Sequence, residues 1–324
     1  MAGGFDRKSF VYLLGAFILL CATATFCGCS SLPSQLTSGP TSGEFASKAW
    51  RSNQPFTTLQ HDATNGTLYA SSTANTVTEY DLRNGTVIGT LGAASGINSG
   101  PSGMFFSKGH LYVTNGNQVL VFPAGQTTAS LTLEDPIEGP FASDVVVGTD
   151  GTVYLANFEV NYSSEGNVEV FKRGKTAPEY SINFPSTDPV NSVTLDSSNN
   201  LYVGYSDEHG PKARIAEYPP GSRKGQDTGW SLKSEIPGGM AFDKSGNLVV
   251  IDGGTIDVFT PGTSKPARTF GSLQQPQFLV FDKAQTALYV TNYGANQIDE
   301  FDYSTGELIN TISLTGPIGL AINP

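Results

Sequence analysis

The feature that most limits what this chain can become is a repeat. An apolar residue followed by Tyr recurs at Tyr69, Tyr112, Tyr154, Tyr202 and Tyr289, and Leu248-Val249 stands in the same place. A second ruler is independent of the first. The segments VTEY, VLVF, VEVF, IAEY, IDVF and IDEF end at Tyr80, Phe122, Phe171, Tyr218, Phe259 and Phe301, separated by 42, 49, 47, 41 and 42 residues. Units of that length suit a four-stranded propeller blade. The clearest unit covers 275–316, where strands are predicted over 278–282, 287–292, 297–302 and 307–314, with Gly, Asn, Ser or Asp at the breaks. A lone sheet of this kind cannot bury both faces, so copies must stack.

The expected fold class is therefore all-β, a six-bladed β-propeller of four-stranded antiparallel blades. The blades fall at roughly 55–92, 100–134, 139–185, 189–234, 236–272 and 275–315. No window after residue 45 has the period of an amphipathic helix, which excludes mostly α and βαβ folds. The Asn84-Gly85 and Thr305-Gly306 pairs mark tight turns between third and fourth strands, where glycine reaches positive φ.

A chain of 324 residues with 37 Gly, 19 Pro and 15% charged residues is used up by six such units, leaving no second globular domain. The formal charge is −11, and an acidic surface argues against nucleic acid as a partner. Cys21, Cys27 and Cys29 all precede the repeats, so the propeller has neither disulfide nor thiol chemistry.

Arg7 and Lys8, the apolar run of residues 10–26 and the small residues behind it read as an export signal over 1–28. The Phe26-Cys27-Gly28-Cys29 end resembles the lipobox of bacterial lipoproteins. That resemblance implies cleavage before Cys29, acylation of Cys29, and outer-membrane sorting from Ser30. The competing reading is an uncleaved single-span anchor. Residues 29–43, rich in Ser, Thr, Pro and Gly, form the lipidated Cys and a flexible tether, and 44–324 form the propeller. The terminal GPIGLAINP repeats the inner-strand pattern with no second strand after it. We expect 317–322 to close the ring by pairing into blade one beside 67–71, in place of 55–61.

The stretches 237–259 (PGGMAFDKSGNLVVIDGGTIDVF) and 189–206 (PVNSVTLDSSNNLYVGYS) resemble NHL-repeat blades, and LYVTNYGANQIDEFDYSTGELINTI is similar to YncE-like surface propellers. The resemblance spans 55–324 and implies architecture more than activity, because one propeller frame carries binding, lactonase, lyase and scaffold roles. The Trp-ended motif of quinone-dependent propeller dehydrogenases and the Gly-His and Trp-Asp signature of WD repeats are both absent.

In a propeller, loops entering the inner strand and loops leaving the second strand open on one face. Asn115, Asn157, Asp252 and Asn292 end second strands and are therefore candidate channel-mouth residues for a ligand. Their oxygens are also of the kind that hold calcium or another divalent cation. The plainer reading makes each an Asx-type turn cap. Asp144 stands where other inner strands have Gly103, Ser192 and Gly239, and a carboxylate there needs water, a cation or a donor. Asp196, Asp243 and Asp282 read as turn caps. Longer loops at 158–167 and 206–213 gather Glu159, Tyr162, Glu165, Asp207, Glu208 and His209 on the same face.

No Ser-His-Asp spacing, HExxH, Walker loop or dinucleotide fingerprint is present, so ordinary nucleophilic hydrolysis has no support. The leading expectation is an envelope-anchored monomer that binds a partner or small ligand at the channel mouth, without catalysis or a required cofactor. The alternative is a metal-dependent, lactonase-like hydrolase using Asp144, Asn157 and Asp252 around a cation. A lyase of the streptogramin-inactivating type would need a channel His, and His110 begins a second strand on the other face.

Overall fold

A computed structural model describes residues 66–136, 141–158, 166–184, 188–207 and 212–324. The signal, Cys29, the tether, and the displaced candidate strand 55–61 lie outside the described residues.

Six four-stranded antiparallel sheets follow one another as blades. Blade one holds β1 (Thr67–Ser72), β2 (Thr76–Asp81) and β3 (Val87–Leu91). Blade two is β4 (Met104–Ser107), β5 (His110–Asn115), β6 (Gln118–Pro123) and β7 (Leu131–Glu134). Blade three is β8 (Ala142–Val147), β9 (Val153–Asn157), β10 (Asn167–Phe171) and β11 (Tyr180–Asn183). Blade four is β12 (Val190–Leu195), β13 (Leu201–Ser206), β14 (Ala213–Tyr218) and β15 (Gln226–Asp227). Blade five is β16 (Pro237–Phe242), β17 (Leu248–Asp252), β18 (Thr255–Phe259) and β19 (Arg268–Phe270). Blade six is β20 (Pro276–Phe281), β21 (Ala287–Asn292), β22 (Gln297–Asp302) and β23 (Leu308–Ser313).

The last strand, β24 (Pro317–Asn323), supplies the inner strand of blade one. It pairs antiparallel with β1 in the register Leu68↔Ile322, Tyr69↔Ala321 and Ala70↔Leu320, as the ring-closure argument expects.

Both sequence rulers have the same physical cause. Six apolar clusters fill the six seams between neighbouring blades. Each third-strand aromatic packs into the seam behind its blade, as Phe122, Phe171 and Phe259 do with essentially no exposure. Each second-strand Tyr packs into the seam ahead, as Tyr154, Tyr202 and Tyr289 do, with Val249 taking that place in blade five. Strand side chains alternate between faces, so one blade contributes to two seams and the period cannot drift. Emptying one such aromatic site would cost about 3–5 kcal/mol.

Polar staples join the inner strands. Ser71 Oγ donates to Ser102 O at 2.9 Å, Ser102 Oγ to Ser143 O at 2.9 Å, Ser143 Oγ to Val190 O at 3.0 Å, and Ser192 Oγ to Gly238 O at 2.8 Å. Thr291 Oγ1 donates to Ile318 O at 2.7 Å, fastening blade six to the closing strand. At Gly319 a Cβ would lie 1.9 Å from Ser102 O, so only glycine admits this approach. Gly85 and Gly306 occupy their predicted turns at φ 67° and 78°.

Candidate functional site

The candidate site is the face where second strands end and inter-blade loops arrive. Asn115, Asn157, Asp252 and Asn292 close β5, β9, β17 and β21 there, and all are buried. Asn115 Oδ1 accepts the N–H groups of Asn98 and Ser99 at 3.1 and 3.0 Å, and its Nδ2 donates to Gly96 O at 3.2 Å. Asp252 accepts from Lys233 N at 2.8 Å and Ser234 N at 2.7 Å. Asn292 Oδ1 accepts from Gln274 N at 2.8 Å while its Nδ2 donates to Asp299 at 2.7 Å. In these three blades the donor lies 16 to 19 residues upstream, in the loop arriving from the previous blade. The side chain thus pins a long-range loop, a different job from closing its own local turn.

Asn157 is the exception. Its Nδ2 donates to Asp135 at 2.6 Å and to Asn167 Oδ1 at 2.8 Å, but its Oδ1 has no hydrogen-bond partner among the described residues. The residues that would occupy the donor position, 137–140, lie outside the described residues.

Asp144 sits in β8, opposite Ala156, at the inner-strand position anticipated for it. Oδ1 accepts from Val145 N at 2.8 Å, and Oδ2 accepts from Val193 N of the next blade at 3.0 Å. Burial pushes its pKa up to about 7, against the pull of those two N–H groups. The neighbouring inner strand makes room for it, since a Cβ on Gly103 would lie 2.5 Å from Asp144 Oδ1.

Sequence reasoning missed a set of buried third-strand carboxylates beside these residues. Glu169, Asp257 and Asp299 are each at most 2% exposed, on β10, β18 and β22. Glu169 accepts from Asn167 Nδ2 and Ser181 Oγ, both at 2.8 Å, and burial followed by the charge of Asp135 raises its pKa. Asp257 pairs with Lys233 Nζ at 2.8 Å and accepts from Thr269 Oγ1 at 2.7 Å. Asp299 accepts hydrogen bonds from Asn292 Nδ2 and Gln297 Nε2, and burial raises its pKa. The signal was visible in VEVF, IDVF and IDEF, where an acid follows the first apolar residue of an otherwise apolar strand. In blade three Glu169 joins Asn167 to the outer-strand Ser181, and in blade five Asp257 joins Lys233 to the outer-strand Thr269, polar networks of a kind that favours one rigid geometry.

Asp196, Asp243 and Asp282 do cap turns on the opposite face, accepting the N–H groups of Ser198, Ser245 and Thr286 at 2.9, 2.8 and 2.8 Å. His110 starts β5 on that same face, its Nδ1 3.1 Å from Lys108 O. The loop residues Glu159, Tyr162, Glu165, Glu208 and His209 lie outside the described residues, while Asp207 pairs with Arg214.

The set Asp144, Asn157 and Asp252 does not fit a cation as it stands. The oxygens of both carboxylates are aimed at backbone N–H groups, and the three residues belong to blades three and five. Among the described residues no group of three or more His, Cys, Asp or Glu is placed to hold a metal.

Fold and site define a class, a six-bladed β-propeller whose arriving loops are pinned by the ends of its second strands. No protein-family model and no curated protein matches the sequence. Solved structures do match. A chain of the nidogen/laminin complex is 16% identical, with 79% of this chain and 98% of that chain covered at a TM-score of 0.61. A Bacteroides caccae protein of unknown function is 12% identical, covering 80% and 99% at 0.62. A Bacteroides fragilis protein provisionally named a 6-phosphogluconolactonase is 15% identical, covering 81% and 85% at 0.55. At such identities the likeness is one of fold alone.

Proposed function

We propose that the chain is an exported propeller of the NHL or YncE-like kind, anchored in the cell envelope through Cys29 as an outer-membrane lipoprotein. It binds a partner or small ligand on the channel-mouth face without catalysis. The observation that carries this reading is the pinning of the arriving loops by Asn115, Asp252 and Asn292. Loops held rigid before contact lose little entropy on binding, which suits recognition. Of the residues that metal-assisted hydrolysis would need, Asp144 and Asp252 already spend both carboxylate oxygens on backbone N–H groups.

Three measurements test the proposal. Photo-crosslinkers placed at Ser99 and Gln275 on this face should capture a defined adduct in the native envelope, while one at Lys265 on the opposite face should not. Equal capture at all three would reject the assignment of the face. Calcium titration of the chain by calorimetry should give no one-to-one heat. Tight binding lost in both Asp144→Ala and Asp252→Ala would replace the binding reading with the lactonase-like one. Cys29→Ser should abolish lipid labelling, and labelling that persists would sink the anchor.

The Bacteroides fragilis likeness and an Asn157 Oδ1 without a partner among the described residues favour the hydrolase as the second reading. It requires the carboxylates to leave their backbone donors first.

A further inference from the structure

The face opposite the channel mouth carries a distribution of charge and apolar surface that the binding reading does not use. The described chain begins here, at Gly66, whose carbonyl accepts from Leu82 N at 3.1 Å beside the end of β24. The third-to-fourth turns of all six blades, and the inner-to-second turns of blades two to six, share this face. Contacts between blades confirm it, with Lys108 Nζ donating to Thr149 O, Thr149 N to Asn199 Oδ1 at 2.9 Å, and Lys244 N to Gln285 Oε1.

Ten of the fourteen Lys and Arg among the described residues sit in these turns, including Lys108, Lys172, Arg173, Lys175 and Lys224, all exposed. The same turns hold six Asp and Glu, or eight with the strand ends Asp81 and Asp302, so this face is locally positive on a chain whose formal charge is −11. Several of those carboxylates, Asp196, Asp243 and Asp282 among them, point into their turns as caps. On the channel-mouth face the basic residues among the described ones are fewer, Lys212 being exposed and the other two engaged. Arg214 pairs with Asp207 and Asp227, and Lys233 with Asp257.

The exposed large hydrophobic residues among the described residues are Val87, Ile88, Leu308 and Ile309. They begin β3 and β23, the outer strands of neighbouring blades one and six, and so stand at the rim of the same face. Each pair includes a bulge residue, Ile88 between Val87 and Gly89 and Ile309 between Leu308 and Asn310, which turns both side chains away from the seam.

We propose that this face lies against an anionic lipid surface, with Lys and Arg at the turn tips meeting headgroups and the two aliphatic pairs entering the interface. The inference rests on the envelope-anchored reading, because the anchor brings the face and the bilayer together. Polybasic surface and shallow aliphatic insertion reinforce one another when an anchor supplies proximity. An acidic protein would satisfy the charges but leaves the aliphatic rim without a role.

The test uses the full chain reconstituted in vesicles of phosphatidylglycerol and phosphatidylethanolamine containing headgroup-level nitroxide lipids. A fluorescent amino acid is introduced at position 88, or at position 99 on the channel-mouth face as control. Quenching at position 88 should exceed that at position 99 by about threefold, and should fall by about half in phosphatidylcholine or in K172E/R173E/K175E. Equal quenching at the two positions overturns the proposal. So does quenching unmoved by charge reversal, the result expected of a face that reads an acidic protein. A chain that fails to float with the vesicles shows the anchor to be absent. That outcome overturns the anchored reading and this inference with it, whereas floating with equal quenching removes the inference alone.

Discussion

Blade one and blade six are the same sheet made in two ways. Their outer halves read EYDLRNGTVIGTL and EFDYSTGELINTI, and both break register directly after the acid, between Glu79 and Tyr80 and between Glu300 and Phe301. Blade six is continuous in sequence, whereas blade one takes its inner strand from the other end of the chain. A blade is thus specified by the fit of its strands to the seams and not by chain continuity. The matching acids show what the seams then decide. Glu300 is buried and accepts from Tyr289 OH at 2.9 Å and Asn310 Nδ2 at 3.1 Å. Glu79 is half-buried opposite Gly89, with its pKa raised by burial.

The largest effect should come from taking β24 away. A chain ended at Thr315 leaves β1 as an open inner edge and unfastens blade six, so melting followed by circular dichroism should drop by more than about 10 °C or lose cooperativity. Unchanged melting would mean that blade one does not need its borrowed strand.

Next in size is a pH dependence that arises outside both blades, at Asp144 in blade three. The folded-state pKa of Asp144 lies above its unfolded value, near 7 against 3.8. Its favourable contribution is complete below about pH 4 and is lost as pH rises through about 7, by roughly 4 kcal/mol at most. Urea denaturation at pH 4.5 and 7.5 should show wild type losing stability with rising pH, and Asp144→Ser should flatten that slope. A flat wild-type profile would show the carboxylate to be better solvated than its burial implies.

The two acids can then be compared directly. Glu300→Ala leaves Tyr289 and Asn310 unpartnered in a buried seam and should cost about 2–3 kcal/mol by denaturant unfolding, against under about 1 kcal/mol for Glu79→Ala. The smallest change should sharpen the likeness. Gly89→Asn gives blade one the residue that serves Glu300 in blade six. A Cβ there meets only the movable Glu79 carboxylate, 2.8 Å from Oε2. We expect a gain of about 0.5 kcal/mol from a stiffer strand and a new bond, and a loss above 1 kcal/mol would show that Glu79 cannot adjust.

Much of the frame was legible in sequence. The predicted strands of blade six agree with β20–β23 to within two residues, and the closing role of 317–322 was readable from an inner-strand pattern with nothing behind it. The candidate site was legible in position but not in purpose. Asn115, Asp252 and Asn292 stand where second-strand ends place them, yet each spends its oxygen on a loop from the preceding blade. Asp144 was conspicuous as an acid among glycines, but its donor, Val193 N, is 49 residues away. Glu169, Asp257 and Asp299 were overlooked because an acid in an alternating strand reads as solvent-facing until a neighbouring blade covers it.

The sequence by itself determined the number of blades, their period, the turns and the strand that closes the ring. Those follow from alternation and turn chemistry, which act between residues a few positions apart. The tertiary structure decided which carboxylates are buried, which polar ends are already engaged, and which face gathers the basic turns. Those depend on contacts between distant segments, such as Gly319 N with Ser71 Oγ across 248 residues, and burial and partnership exist only once the ring is closed.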